Sequence, residues 1–265
     1  MNILEKIIMN KKKYLSAQKR SVPVKELEKT TLFRRESLSF SSFIKDKSKT
    51  GIIAEFKRKS PSKGLINEHA EVDVVTAAYT KFGASALSVL TDQEFFGGSS
   101  KDLIAARKNS IPILRKDFVI DEYQIIEAKS IGADCILLIA ACLDKKNALR
   151  LAKIAQNLGL EILLEVHEER ELEYISDETD VVGVNNRDLR SFKVDIERSL
   201  IMAEKMPTTK IKIAESGISS IENIVLFKKN GFSGFLIGEN FMKASNPGEA
   251  FESFVIDLKN TSACG

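Results

Sequence analysis

Two histidines and three cysteines are all this 265-residue chain holds of the residues that build metal centres and disulfide frameworks. His69 and His167 alone are too few for a histidine-rich site, and no metal is expected. Cys135 lies in an apolar run, Cys142 just after it and Cys264 at the end, with neither metal-ligand spacing nor a disulfide pattern, so Cys135 is expected to pack in a core. No stretch approaches the roughly 18 uninterrupted apolar residues of a membrane-spanning helix. Near the start, Ile3, Leu4, Ile7 and Ile8 are broken by Glu5 and Lys6, a spacing that fits an amphipathic helix and not a secretory signal. A soluble, cytoplasmic protein is expected. Net charge is only +3, which gives no general case for nucleic-acid binding. The clustered positive charge, at Lys11-Lys12-Lys13, Lys19-Arg20 and Arg34-Arg35, reads as a solvated helix face.

What the chain does contain is a recurrence. Six short apolar runs each finish on charged or amide residues: Ile52-Ile53-Ala54-Glu55-Phe56-Lys57, Ile113-Leu114-Arg115-Lys116, Ile162-Leu163-Leu164-Glu165, Val181-Val182-Gly183-Val184-Asn185-Asn186-Arg187, Ile211-Lys212-Ile213-Ala214-Glu215 and Phe235-Leu236-Ile237-Gly238-Glu239. Strands buried on both faces are apolar throughout, so ionisable groups at their ends stand at the rim of a core, where desolvation tunes their pKa.

Strand-like runs begin near Gly51, Ser85, Ile111, Asp134, Glu161, Asp180, Lys210 and Gly234, with helical periodicity between them. Helices are expected around Val72 to Tyr79 before Gly83, from Asp144 to Leu158 before Gly159, and from Ser219-Ser220 to Gly231. Alternation of this kind implies a parallel sheet with right-handed crossovers. Eight units within residues 51–265 predict an α/β fold closed as a (β/α)8 TIM barrel; an open doubly wound sheet is the alternative. Residues 1–50 carry helical patterns at Leu4 to Lys19 and Ser37 to Lys45. They are too poor in apolar residues for a core of their own, so an N-terminal extension packed on a single barrel domain, covering part of one mouth, is expected.

Chemistry in such barrels sits at the carboxyl ends of the strands. Glu55 and Lys57 share a face by the strand's period of two. Lys116, Glu165 and Glu215 end three further strands, and two lysines with three carboxylates in one mouth make poor sense for stability alone. For a phosphate, the loops after the seventh and eighth strands offer Ser216-Gly217-Ile218 and Gly238-Glu239-Asn240, while Ser60 and Lys63-Gly64 in the first loop add a hydroxyl and a charge. Glu239 must turn its carboxylate away if its backbone is to help there.

In their order, these motifs resemble those of the indole-3-glycerol phosphate synthase family, barrel lyases of tryptophan biosynthesis. The most specific stretch is Ile53-Ala54-Glu55-Phe56-Lys57-Arg58-Lys59-Ser60-Pro61-Ser62-Lys63-Gly64. It is followed by Phe95-Phe96-Gly97-Gly98-Ser99, Leu114-Arg115-Lys116-Asp117-Phe118, Leu164-Glu165-Val166-His167, Gly183-Val184-Asn185-Asn186-Arg187-Asp188-Leu189, Ala214-Glu215-Ser216-Gly217-Ile218 and Leu236-Ile237-Gly238-Glu239.

The resemblance implies a substrate, 1-(2-carboxyphenylamino)-1-deoxyribulose 5-phosphate, that closes a ring while losing carbon dioxide and water. On that reading Lys116 polarises the carbonyl and Glu165 is its acid–base partner. Lys57, oriented by Glu55, acts as the second acid or holds the substrate carboxylate. Asn185, Glu215 and Ser216 shape the polar site, and Arg187 meets the anthranilate carboxylate. Ser60, Gly217, Gly238 and the Glu239 backbone take the phosphate, and Phe96 and Phe118 wall the aromatic ring. No organic cofactor is implied, because rearomatisation drives the decarboxylation. A monomer without nucleic-acid or membrane partners is expected, and association with other enzymes of the pathway is left open. Two other readings stand beside it: a different phosphosugar enzyme on this fold, such as an Amadori-type isomerase or a Schiff-base aldolase using Lys57 or Lys116, and a noncatalytic binding role through the basic N-terminal segment.

Overall fold

A computed structural model describes residues 3–188 and 191–263. Leu189 and Cys264, both named above, lie outside the described residues. Eight parallel strands form the centre: β1 Ile52–Phe56, β2 Ala86–Leu90, β3 Ile113–Lys116, β4 Cys135–Ile139, β5 Glu161–Val166, β6 Val181–Asn185, β7 Ile211–Glu215 and β8 Phe232–Ile237. Each pairs with the next, and β1 pairs with β8 through Ile52 to Phe235 and Ile53 to Leu236, which closes the barrel and removes the open-sheet alternative. Strand starts fall within two residues of the sequence reading. Ladder pairing of β3 begins after Pro112, which lacks an N–H to donate. β8 begins early because Phe232 pairs with Lys212 across an irregularity before Gly234.

Side-chain alternation divides the strand residues into two apolar sets. Ile53, Ala86, Leu114, Cys135, Leu163, Val181 and Ile213 point inward and pack together, so Cys135 is core as expected. Ile52, Ala54, Leu87, Ile113, Ile136, Leu164 and Val182 point outward to the helical layer. The helices between strands start where their caps dictate: the Asp144 side chain accepts from the Asn147 N–H at the head of Lys145–Asn157, and Ser220 accepts from Asn223 at the head of Ile221–Lys229. Among the described residues no helix is long and apolar enough to cross a membrane.

Among the described residues three α-helices precede β1, α1 Ile3–Ser21, α2 Val24–Leu27 and α3 Phe40–Lys45, with a 3-10 turn at Leu32–Arg34 between the last two. They cover both ends of the barrel rather than one. Phe40 and Ile44 of α3 join the inward-facing cluster near the strand starts, and Glu161 at the start of β5 accepts from Ser39 Oγ and the Ser41 N–H. At the opposite end, Ile3, Leu4 and Ile7 of α1 reach the cavity of the carboxyl mouth. Lys11 corrects the expectation of a solvated basic face. Lys12 and Lys13 are exposed, but Lys11 is buried, its ammonium 2.7 Å from Asp92 and 2.8 Å from Asp117.

Candidate active site

The period of two that fills the barrel with leucine and isoleucine below places ionisable groups above. Glu55 follows Ile53 on the inner face of β1, and Lys57 follows Glu55. Lys57 Nζ stands 2.7 Å from Glu55 Oε1, and Ser88 of β2 donates to Glu55 Oε2 at 3.2 Å. Opposite them Lys116 Nζ lies 2.7 Å from Glu165 Oε2 and 2.7 Å from Glu215 Oε2. Asn185 Nδ2 donates to the other Glu165 oxygen at 3.1 Å. One ammonium is thus shared by two buried carboxylates.

Two glycines make room for this arrangement. A Cβ on Gly183 would sit 2.0 Å from Glu215 Oε1, and one on Gly238 would sit 2.7 Å from Glu55 Oε1. Gly183 therefore has a role that its place in an apolar run hides, and Gly238 seats Glu55 as well as opening the loop after β8.

The cluster's protonation follows from burial and partners. Glu215 is pushed up to about 7 by desolvation and by the neighbouring Glu165 charge, against the pull of Lys116. Glu165, although burial opposes its charge, is held well below the usual carboxylate range by Lys116 and His167. Burial disfavours the Lys116 ammonium, yet Glu165 and Glu215 outweigh it and raise its pKa.

Above these groups is a cavity of about 530 Å3, and every candidate site residue from the sequence lines it: Glu55, Lys57, Ser60, Phe96, Lys116, Phe118, Glu165, Asn185, Arg187, Glu215, Ser216, Gly217, Gly238 and Glu239. Its two sides differ. Phe96 and Phe118, ring centroids 6.1 Å apart, form an apolar wall with Ile3, Leu4 and Ile7 of α1. Across from them the chain turns sharply at Ser216 and Gly217, with φ of 66° and 71°; a Cβ at Gly217 would meet Val194 at 2.4 Å. Asn186, fully buried, holds this turn by donating to the Ser216 carbonyl at 2.7 Å. Lys63 joins this side, 3.6 Å from Glu239 Oε1, while Arg187 Nη2 is 3.4 Å from Glu239 Oε2. The Glu239 carboxylate is therefore drawn to two cations at the rim.

Four further groups escaped the sequence reading. Arg115 points outward and is fully buried, donating to Thr91 Oγ1, the Gln124 carbonyl, Asp117 and Glu127, so it does not join the rim as its neighbour Lys116 does. Lys11 and Asp92 complete that outer cluster. The fourth, His167, has its Nε2 3.1 Å from Glu165 Oε1. A signal for it existed: it lies two residues past Glu165, just beyond the end of β5. For Lys11, flanked by two exposed lysines, there was none.

A closed parallel barrel with paired lysines and carboxylates at its carboxyl mouth, between an aromatic wall and a glycine-bearing turn, defines the class: a (β/α)8-barrel enzyme working by acid–base chemistry. Residues 4–254 match the model of the family described as indole-3-glycerol phosphate synthase, and the chain belongs to that family. A protein of that name from Bacteroides thetaiotaomicron is 46% identical over 255 residues, covering 96% of this chain and 98% of its own length. Another of that name, from Legionella pneumophila strain Paris, is 42% identical over 258 residues, covering 97% and 99%. Among solved structures, one described as native KDPGal aligns with a TM-score of 0.58 at 14% identity, over 81% of this chain and 95% of that one. Thiamine phosphate pyrophosphorylase from Pyrococcus furiosus aligns at 0.56 and 17% identity, over 78% and 95%. At those identities the two structures speak for the barrel alone.

Proposed function

We propose that this chain converts 1-(2-carboxyphenylamino)-1-deoxyribulose 5-phosphate to indole-3-glycerol phosphate, with release of carbon dioxide and water, in tryptophan biosynthesis. The observation that carries the reading is the Lys116 ammonium held between Glu165 and Glu215 beneath a cavity with one aromatic and one anion-accepting side. Lys116 donates a proton to the substrate carbonyl oxygen as the aromatic carbon attacks. Carbon dioxide then leaves, and its electron pair restores the aromatic ring. In the dehydration Glu165 takes a hydrogen of the new ring, while an ammonium, that of Lys57 or Lys116, protonates the departing hydroxyl. Phe96 and Phe118 flank the aromatic ring and Arg187 meets its carboxylate. Ser60, Lys63 and the Ser216-Gly217 and Gly238-Glu239 backbones take the phosphate.

Residues 1–50 belong to this same catalytic unit in our reading, since α1 supplies part of the cavity wall. A monomer in the cytoplasm is the state we assign. A Schiff-base aldolase, the competing chemistry on this fold, needs a neutral lysine nucleophile, and Lys116 sits between two carboxylates that hold it charged.

The test is to mix purified protein with the carboxyphenylamino substrate and follow indole fluorescence together with released carbon dioxide. Appearance of both supports the reading. Binding without either product returns the chemistry to the isomerases, and absence of binding refutes it.

A further inference from the structure

Three consecutive residues at and just past the end of β6 serve three parts of the site. Asn185 donates to Glu165 in the acid–base group, and Arg187 stands at the rim beside Glu239. Asn186, between them, points the other way by strand alternation. It is fully buried behind the Ser216–Gly217 turn, where its Nδ2 donates to the Ser216 carbonyl at 2.7 Å. Only the amide nitrogen can face a carbonyl, so Oδ1 is left turned elsewhere, buried and without a partner among the described residues. A bare buried acceptor costs stability, and a leucine of similar size would spare the fold that cost. What an apolar side chain could not supply is the N–H.

That donor fixes the direction of a peptide group. A trans peptide carries its C=O and its N–H on opposite sides. With the Ser216 carbonyl drawn to Asn186, the Gly217 N–H is turned away from Asn186, toward the mouth that Ser216 and Gly217 border. The conformation this needs is demanding, with φ of 66° at Ser216 and 71° at Gly217. Glycine takes such angles freely, but for serine they are strained and persist where the surroundings impose them. Two contacts do so: the Asn186 donor, and Val194, whose side chain stands 2.4 Å from where a Cβ on Gly217 would be. Asn186 is in turn anchored by its backbone, which donates to the Glu215 carbonyl at 2.8 Å and accepts from the Asp195 N–H at 2.8 Å. Lys63, the charge on this side of the mouth, is by contrast half exposed and paired with Glu239 at 3.6 Å. The donor held in place before any ligand arrives is therefore the turn.

We propose that Asn186 is the positioning residue that sets the site's affinity for the substrate's phosphate, by holding the Ser216–Gly217 peptide in the left-handed turn that presents the Gly217 N–H to the anion. This rests on the anion-accepting side of the reading above and not on the ring closure. Asn186 touches neither the substrate nor the reacting atoms; it acts through the turn.

The test reads phosphate binding apart from turnover. Inorganic phosphate is titrated calorimetrically into wild type, Asn186→Leu, Ser216→Gly and the double variant, and kcat and KM for the carboxyphenylamino substrate are measured on each. Asn186→Ala is the second variant should the first fail to fold. Asn186→Leu should weaken inorganic phosphate roughly 5- to 20-fold and raise KM by a similar factor, with kcat within about threefold of wild type. The two substitutions should not add: in the Ser216→Gly background, where the left-handed turn carries no strain, Asn186→Leu should cost at most about threefold. Unchanged phosphate affinity and KM would show that the turn keeps its shape without Asn186 and would overturn the proposal. Equal losses in the two backgrounds would reduce Asn186 to packing, and a fall in kcat at constant KM would move its service to Asn185 and Glu165; either overturns it. A wild type that takes up no inorganic phosphate overturns the anion-accepting side and the part of Asn186 with it. The expected binding pattern in an enzyme that makes no indole product would support the role of Asn186 and refute the ring-closing reaction alone.

Discussion

Arg115, Lys116 and Asp117 are consecutive, yet Lys116 points into the barrel while Arg115 points away from it and joins Asp117 in a second buried cluster, whose Asp92 and Asp117 border the far side of the same cavity. The two clusters have the same inventory, two cations and three carboxylates: Lys57, Lys116, Glu55, Glu165 and Glu215 inside; Lys11, Arg115, Asp92, Asp117 and Glu127 outside. They differ in satisfaction. Outside, each carboxylate meets donors on more than one side: Asp117 receives Lys11, Arg115, Thr91 and the Phe118 N–H; Asp92 receives Lys11 and the Phe95 N–H; Glu127 receives Arg115 and Tyr14. Inside, Glu215 Oε1 is buried without a partner and its Oε2 shares Lys116 with Glu165. A fully satisfied network fixes structure, while a partly satisfied one holds protons ready to move. The outer cluster pins α1 to the ends of β2 and β3; the inner one is left reactive.

The sharpest way to break that contrast is to remove the cation at each centre. Lys116→Met should lower turnover by roughly 10³-fold or more, the scale of losing a general acid and its charge, while binding through the phosphate side survives. Steady-state rates with a parallel titration of substrate or product measure this, and wild-type-like turnover would refute the assignment. Arg115→Met should act on the fold. It leaves Glu127 with Tyr14 alone and takes one of Asp117's four partners in a buried site, a loss of about 3–5 kcal/mol, visible as a fall in Tm on the order of 10 °C. A thermal melt within a degree or two of wild type would show that the outer cluster does not carry the structure.

Much of this arrangement is legible in the chain. Eight apolar runs, their spacing and the charged residues that close them predict the barrel, its closed form and the composition of its mouth, because fully buried strands leave so few positions for charge. What was hidden depends on partners distant in sequence. Arg115 and Lys116 are indistinguishable as charges ending a strand until the helix Glu122–Ser130 supplies Glu127 to one and β7 supplies Glu215 to the other. Lys11 differs from Lys12 only in facing Asp92 and Asp117, some eighty and a hundred residues on. Gly183 is an ordinary small residue until Glu215, on the next strand of the barrel, needs its space. Residues 1–50 read as an extension over part of one mouth, but the place of α3 at the amino end rests on Phe40 and Ile44 meeting the strand starts.

A gentler substitution tests the sign of the inner cluster's contribution. Glu215 has its pKa raised from 4.5 to about 7, so between those values the folded state binds a proton that the unfolded state has released, and stability falls as pH rises through this window. Glu215→Gln removes that dependence. Its stability should match or exceed wild type at pH 8, by about 1 kcal/mol, with the advantage shrinking toward pH 5, while turnover drops. Denaturant midpoints at the two pH values decide it. A variant less stable than wild type at pH 8 would mean that Glu215 is held as tightly as the carboxylates of the outer cluster.

The smallest effect belongs at the rim, where the contrast between satisfied and unsatisfied charge fades into solvent. Glu239 lies 3.4 Å from Arg187 and 3.6 Å from Lys63, with its own side chain 34% exposed, so these pairs contribute at most about 1 kcal/mol. On the proposed reading it occupies cations that the substrate's anionic groups would otherwise meet. Glu239→Gln frees both without changing the backbone after Gly238, and KM should fall roughly two- to fivefold at low salt, with the gain fading as ionic strength rises. A rise in KM would mean that the carboxylate's service is to hold Arg187 in place, which would extend the ordering function of the outer cluster to the edge of the active site.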